Sequence, residues 1–396
     1  MSYRFLASDA SLTTSTSGDR SSAPSYTAKP QADEITLQGS FVSAMPMGEY
    51  EQASGPLTLR LRGQIEGISR PVVFHKQRVT GAIMLRPEEC TAATQISLKF
   101  EGNLSLDIDS GISQTHHTLN ETHVLWQATE SSAAIPSYIP FDIQLASEFV
   151  MQDGQRSPLP PTIEFSFPPP SSLRARATYA MTIAVDRRKK HGVLPRSKSL
   201  TVPFDYVRRT KPHLPMIIAP STELTDSAQW FHQTSQVAFK SVSTQPLEAK
   251  LSIPAAKVYW IGHCIPLRLN IHGAPTVLRA LFPPSGEGVS ISVNIVRQVV
   301  ARVRKMPGRR EMVLGVGTVR RSPGRSEDTV VRWEGQVQVS GPETIPGFDA
   351  GALLVKDFIV AKITPPVTTV TPFDLAPHNI PISIRFTTDR HEDDLA

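Results

Sequence analysis

The chain has 396 residues, with 41 Lys and Arg against 36 Asp and Glu, a formal net charge of +5 and 40% apolar residues. That length suits two or three domains, and the balance excludes both a fully disordered chain and one of histone-like charge. The 34 prolines, well above the usual ~5%, exclude long helices as the main element, because proline breaks helix interiors.

Residues 1–34 read as a disordered Ser/Thr-rich tail, since the first 30 hold twelve hydroxyl residues and few large apolar groups. No signal-peptide core stands at the start and no apolar run reaches membrane-spanning length. From Ile35 the pattern changes to period two. Leu57, Leu59 and Leu61 alternate with Thr58, Arg60 and Arg62, and Ile96, Leu98 and Phe100 repeat the motif, resuming at Leu104 and Leu106 past Gly102. Tyr179, Met181, Ile183 and Val185 follow a proline-rich stretch. The best helix candidate is short, Phe141 to Val150, and a strand fits it equally well.

Residues 208–248 read as a linker with room for one strand around Gln236 to Val242. Beyond it Ile265, Leu267, Leu269 and Ile271 alternate, then Val289, Ile291, Val293 and Ile295. The apolar phase slips at Val296, as a β-bulge would make it do. Leu353 and Leu354 read as the start of a buried strand, and Ile380, Ile382, Ile384 and Phe386 close the set. One apolar and one polar face per run is the signature of antiparallel strands. The expected fold class is therefore all-β, in sandwiches separated by Pro/Gly turns. The expected division is 35–207, 208–248 and 249–390, with a tail at 391–396.

The motifs argue against an enzyme, and no cofactor or metal is expected. Gly315-Val-Gly317 lacks the third glycine of a dinucleotide loop, and no GxxxxGK[ST], GxSxG or HExxH occurs. His116 and His117 would face apart on a strand, which is poor metal geometry. Cys90 and Cys264 form no disulfide framework and suit a reducing compartment; Cys264 reads as a small buried hydrophobe.

Two basic runs stand out. Nine Lys or Arg lie between Arg187 and Lys211 with one acid, Asp205, and nine lie between Arg297 and Arg325 with one acid, Glu311. The first supplies the candidate anion or membrane contacts: Arg187, Arg188, Lys189, Lys190, Arg208, Arg209 and Lys211. Phe204 and Tyr206 are the only aromatic residues of the first run and the second has none, too few for a stacking platform, which argues against nucleic acid.

Several phrases resemble the arrestin family, specifically fungal α-arrestin-like proteins. Val79-Thr80-Gly81-Ala-Ile83-Met-Leu85 is similar to an early strand of the N-terminal arrestin domain, and Ile96 to Gly102 to the next, ending in its glycine. Ile139-Pro140-Phe141 with Leu159-Pro160-Pro161-Thr162, and then Ala177 to Ile183, resemble the passages that follow. Val258-Tyr259-Trp260-Ile261-Gly262 to Leu267 resembles the opening of the C-terminal arrestin domain. The ordered set covers about residues 50–390. The resemblance implies two immunoglobulin-like β-sandwich domains of arrestin type in a cytoplasmic, non-enzymatic adaptor, peripheral at the plasma membrane or endosomes. Its implied partners are cytoplasmic tails of membrane transporters or receptors, and anionic membrane. Many α-arrestins recruit a HECT-type ubiquitin ligase through PPxY motifs. No PPxY is present here, so such recruitment would be indirect. Two alternatives stand beside the adaptor: an arrestin-fold coat or retromer-like subunit, and a basic β-sandwich that binds nucleic acid.

Overall fold

The computed structural model describes residues 47–86, 93–109, 111–128, 135–169, 172–187, 198–211, 229–239, 246–283, 288–304, 306–322, 329–339, 345–365 and 377–389. Both expected tails lie outside them. The described residues fall in one compact unit and are nearly all β.

The first half forms β1 (Gly48–Ser54), β2 (Leu57–Gln64), β3 (Val72–Phe74), β4 (Arg78–Leu85), β5 (Ala93–Ile108), β6 (Ile112–Gln127), β7 (Tyr138–Gln144), β8 (Glu148–Val150), β9 (Arg156–Pro158), β10 (Ile163–Phe167), β11 (Leu173–Arg187) and β12 (Lys198–Val207). The second forms β13 (Trp230–Val237), β14 (Leu247–Pro254), β15 (Val258–Trp260), β16 (Ile265–His272), β17 (Ser290–Val303), β18 (Met306–Val316), β19 (Thr318–Arg321), β20 (Val330–Val337), β21 (Phe348–Asp349), β22 (Leu353–Thr364) and β23 (His378–Thr387). Alternation drives these elements. In β11 every odd residue from Leu173 to Val185 is buried, while the even ones are exposed or half-buried.

The two halves repeat one strand order. Sheet β1-β2-β4-β7 matches β13-β14-β16-β20, and β3-β12-β11-β5-β6 matches β15-β23-β22-β17-β18. In both, a short early strand pairs in parallel with the last strand: β3 with β12, and β15 with β23. In both, a small strand, β10 or β21, lies against the penultimate one. Strand β19, on the edge of β20, has no counterpart.

Each half buries apolar residues from both of its sheets, as a sandwich does. Leu59, Ile83 and Phe141 meet Leu98, Met181 and Val202 in the first core; Leu251, Leu269 and Trp333 meet Ile295, Ile359 and Ile382 in the second. The cores are not confined to their halves. Val299, Ala301 and Val303 of β17, with Leu353 and Val355 of β22, pack into the first core. The β17–β18 turn leans on the β5–β6 hairpin, where the Arg304 amide donates to Gln114 Oε1 at 2.9 Å.

Several expectations meet detail. Phe141 to Val150 is strand, divided between β7 and β8. In the 208–248 region a strand runs over Trp230–Val237, paired with β14, and overlaps the start of the expected Gln236 to Val242, whose residues 240–242 lie outside the described residues. A seven-residue helix, α1 (Pro275–Leu281), starts on a proline, which suits the first helical turn, and buries Val277, Leu278 and Leu281. The strand that resembled one ending at Gly102 continues to Ile108; only its pairing with β6 is irregular there.

Gly102 has a steric reason. A Cβ there would come within 2.5 Å of the Tyr179 ring and 2.8 Å of Thr118 Oγ1. We expect Gly102→Val to lower stability by about 1–3 kcal/mol through overpacking, read as a lower urea midpoint with an unchanged m-value.

Candidate functional site

Strand β17 crosses from one core to the other. Its inward positions run Val293, Ile295, Arg297, Val299, Ala301 and Val303, all buried. Val293 and Ile295 belong to the second core, and Val299 onward to the first. Its neighbour β22 runs the opposite way, with Val355 in the first core, then Asp357, then Ile359 in the second. The register sets Arg297 directly against Asp357. One charged pair therefore sits at the seam of two apolar cores.

The pair is closely made. Arg297 Nε donates to Asp357 Oδ1 at 2.8 Å, and a terminal nitrogen donates to Oδ2 at 2.9 Å and to the Ile345 carbonyl at 2.6 Å. The side chains are 3% and 0% exposed. Two parallel bonds between planar groups give the guanidinium its geometric specificity. Such a pair gains little over a hydrophobic replacement but is costly to break singly.

The apparent phase slip at Val296 now has its cause. A bulge does interrupt β17 against β18 between Ile295 and Val296. The inward alternation nevertheless continues, with an arginine in an apolar slot. The second basic run accordingly divides: Arg302, Arg304 and Arg320 are exposed, while others are committed within the fold. Arg297 is buried, Arg309 pairs with Glu311 at 2.7 Å, and Arg321 donates to the Phe282 carbonyl at 2.9 Å.

Beside the seam lies a cleft of about 370 Å³, lined by Arg70, Thr162, Glu164, Arg176, Arg297 and Ile345. Besides the buried Arg297, its cations are committed to exposed pairs, Arg70 with Asp205 at 3.2 Å and Arg176 with Glu164 at 3.7 Å. A bond from Arg174, with the charge of Arg176 nearby, holds the Glu164 carboxyl below its ordinary range. A second cleft, of about 390 Å³, shares Arg70, Thr162, Arg176 and Thr178 and extends to Glu101, Asn103 and Pro203. Both are polar recesses on the outer face of the β11 sheet.

The candidate contacts of the first basic run separate. Arg187 ends β11, half-buried opposite Ala93, while Arg188, Lys189 and Lys190 lie outside the described residues. Arg208, Arg209 and Lys211 follow the far end of β12. At ~3.3 Å per residue, the ten residues of β12 hold the two groups roughly 30 Å apart, so no single small contact uses both.

At the Arg208 end the chain is well held. The His75 amide donates to the Val207 carbonyl at 2.8 Å, and His75 Nδ1 meets the Tyr206 hydroxyl at 2.6 Å. Arg209 lies over the Phe74 ring at 4.3 Å. The Thr210 amide donates to Thr388 Oγ1 at 2.9 Å, and the Asp389 amide to the Thr210 carbonyl at 3.0 Å. Burial, with Arg208 and Lys76 adding repulsion, pushes the His75 imidazole down to about 4. Burial raises the Tyr206 and Tyr179 phenols and lowers Arg208.

The remaining candidates are plain. His116 is buried while its neighbour His117 is exposed and bonded to Asn103 at 2.7 Å. Cys264 is half-buried rather than buried, its thiol pushed up by desolvation. Among the described residues no group of three or more His, Cys, Asp or Glu is gathered as a metal site would need.

We expect Arg297→Met and Asp357→Leu each to cost about 3–5 kcal/mol, and the double variant to recover most of that loss, measured by urea unfolding. We also expect a pH effect at His75. Its folded value of about 4 lies below the ordinary 6.5, so the unfolded state binds more protons between the two and stability falls as pH drops through that window. The urea midpoint of His75→Gln should fall less steeply over the same window than that of wild type.

No protein-family model matches the chain, and no curated protein matches it significantly.

Proposed function

We propose that the chain is a non-enzymatic, arrestin-like adaptor in which two sandwich domains, one on each side of the connection after β12, bind cytoplasmic segments of membrane proteins during endocytosis or trafficking. The observation that carries this proposal is the repeat of a single strand order, including the parallel closing pair, in both halves of the chain. Two sandwiches of one topology in tandem accord with the arrestin-like phrases, which fall on corresponding elements: Gly81 on β4 and the Ile265 to Leu267 phrase on β16. Polar recesses on a sheet face suit recognition of an extended partner segment better than they suit chemistry. Any link to ubiquitination is indirect, for want of a PPxY motif.

Proximity labelling with the full-length protein tests the proposal. Enrichment of transporters or receptors, together with binding of their purified cytoplasmic tails, is the expected result. Recovery in a stable stoichiometric complex without such cargo would favour a coat or retromer-like subunit. Tight binding of duplex DNA with a steep salt dependence would overturn the adaptor in favour of a nucleic-acid-binding sandwich.

A further inference from the structure

The two halves share a strand order but not an outer surface. On the sheet β3-β12-β11-β5-β6 the outward positions are mostly polar: Lys99, Glu101, Asn103 and Ser105 on β5 lie beside Thr182, Ala180, Thr178 and Arg176 on β11. On the matching sheet β15-β23-β22-β17-β18 many are apolar. Val296 and Val300 stand between the inward residues of β17, and Leu354, Phe358 and Val360 between those of β22, all half-buried. Edge strand β18 adds Val313 and Val316, 49% and 72% exposed. The register sets them side by side. Val313, Val296 and Phe358 form one row across three strands, and Val300 and Leu354 form another.

An antiparallel sheet that faces water on one side carries polar residues there, so an apolar outer face calls for a reason. Four strands ~4.8 Å apart, read over the stretch from Asn294 to Val300, give a face of roughly 20 by 20 Å, or about 400 Å². An apolar patch of that size on one chain is commonly an interaction site. The charged groups around it are arranged by sign. Beside the apolar rows runs another, with Glu311 on β18, Gln298 on β17 and Lys356 on β22. Arg385 extends that row on β23, next to Ile384, which lies opposite Asp357. Glu311, Lys356 and Arg385 are all exposed. The face thus has an acid on one side and two bases on the other.

That arrangement is complementary to itself. Consider a two-fold axis along the strands, midway between β17 and β22, with a second copy stacked face to face. Strand β17 then covers β22 of the copy, and β18 covers its β23. Val296 meets Phe358, Val300 meets Leu354, and Val316 meets Pro381, which lies beside Val360, each contact being made twice. The same rotation sets Glu311 against Arg385 and Gln298 against Lys356, so opposite charges meet beside the apolar rows. Packed sheets cross at about 30°, and the long side chains of Glu311 and Arg385 span the offset this makes at the rim. We propose that this face is the interface of a symmetric homodimer, occupied by a second copy of the chain. At about 400 Å² per partner it belongs to the small, reversible class of interfaces. It does not depend on the adaptor function.

The test is sedimentation equilibrium of the full chain over a wide range of concentration. Wild type should show a reversible equilibrium between one and two chain masses. Phe358→Glu places an unmatched charge in the interface twice per dimer and should weaken association by about a hundredfold or more. Urea unfolding of that variant checks that the monomer is folded. Exchange of rim charges gives a second measure that leaves the apolar rows intact. Glu311→Arg and Arg385→Glu should each weaken association, and the double variant should recover it, because the two-fold axis pairs those positions between copies. A wild type that stays monomeric at every concentration overturns the dimer. A dimer that Phe358→Glu leaves unchanged overturns this face as its interface, and single charge variants with no recovery in the double overturn the two-fold arrangement. Co-sedimentation with phosphatidylcholine vesicles, lost in Phe358→Glu, would assign the face to a lipid surface and overturn the second copy as its occupant.

Discussion

The bidentate pair between Arg297 and Asp357 is the constraint on which the arrangement of the two halves depends. Strands β17 and β22 are long enough to leave one apolar core and enter the other, and at the crossing the inward slot of each carries a charge. Neither charge tolerates that position alone. Each is tolerable only in the register that sets them opposite, because a slip of one residue would turn every inward side chain outward and leave an ion unmatched. The pair thus pins the register of the two strands that reach into both cores. Its contribution lies in that choice of register more than in net stability, since an isosteric apolar pair would pack the same space without a desolvation cost.

The repeated strand order follows from how each half closes. A short early strand lies parallel to the last strand, so the chain must cross from one sheet to the other before it returns. Aromatic residues fill the corner thus made, in different ways. In the first half Tyr206 on β12 reaches His75, the residue after β3, and its ring lies 5.2 Å from that of Tyr179. In the second, Tyr259 on β15 donates to the Pro254 carbonyl at 2.9 Å and sits opposite Phe386 on β23. One topology is therefore finished by a tyrosine from the last strand in one half and from the short strand in the other.

Much of this was legible in the sequence, and the gaps have physical causes. Period-two alternation marks β2, β11 and β16 because one face of each is buried and the other is not. Phe141 to Val150 was ambiguous because ten residues fit either period. Gly102 looked like an end because glycine often marks one, whereas here it makes room for the Tyr179 ring across the sheet. The seam was hidden by treating every charge as an outward residue. Read strictly by position, Val293-x-Ile295-x-Arg297-x-Val299 and Val355-x-Asp357-x-Ile359 each place one opposite charge in an apolar series. Their pairing, however, spans 60 residues of chain and is fixed only by strand register. Similarly, Arg187 and Arg208 share a basic run, yet a strand between them carries them to opposite ends of a sheet.

Beside the contact of the β17–β18 turn with the β5–β6 hairpin, the halves meet at two places of unequal strength. At the seam, apolar side chains of β17 and β22 pack into the first core around a fully buried charge pair. At the connection, half-buried Thr210 and Thr388 exchange hydrogen bonds, with the Asp389 amide adding one more. Apolar burial scales with area, at roughly 25 cal/mol per Å², whereas each exchanged hydrogen bond nets only about 1 kcal/mol. The seam is thus the firm joint, and the connection is the one that opens at least cost.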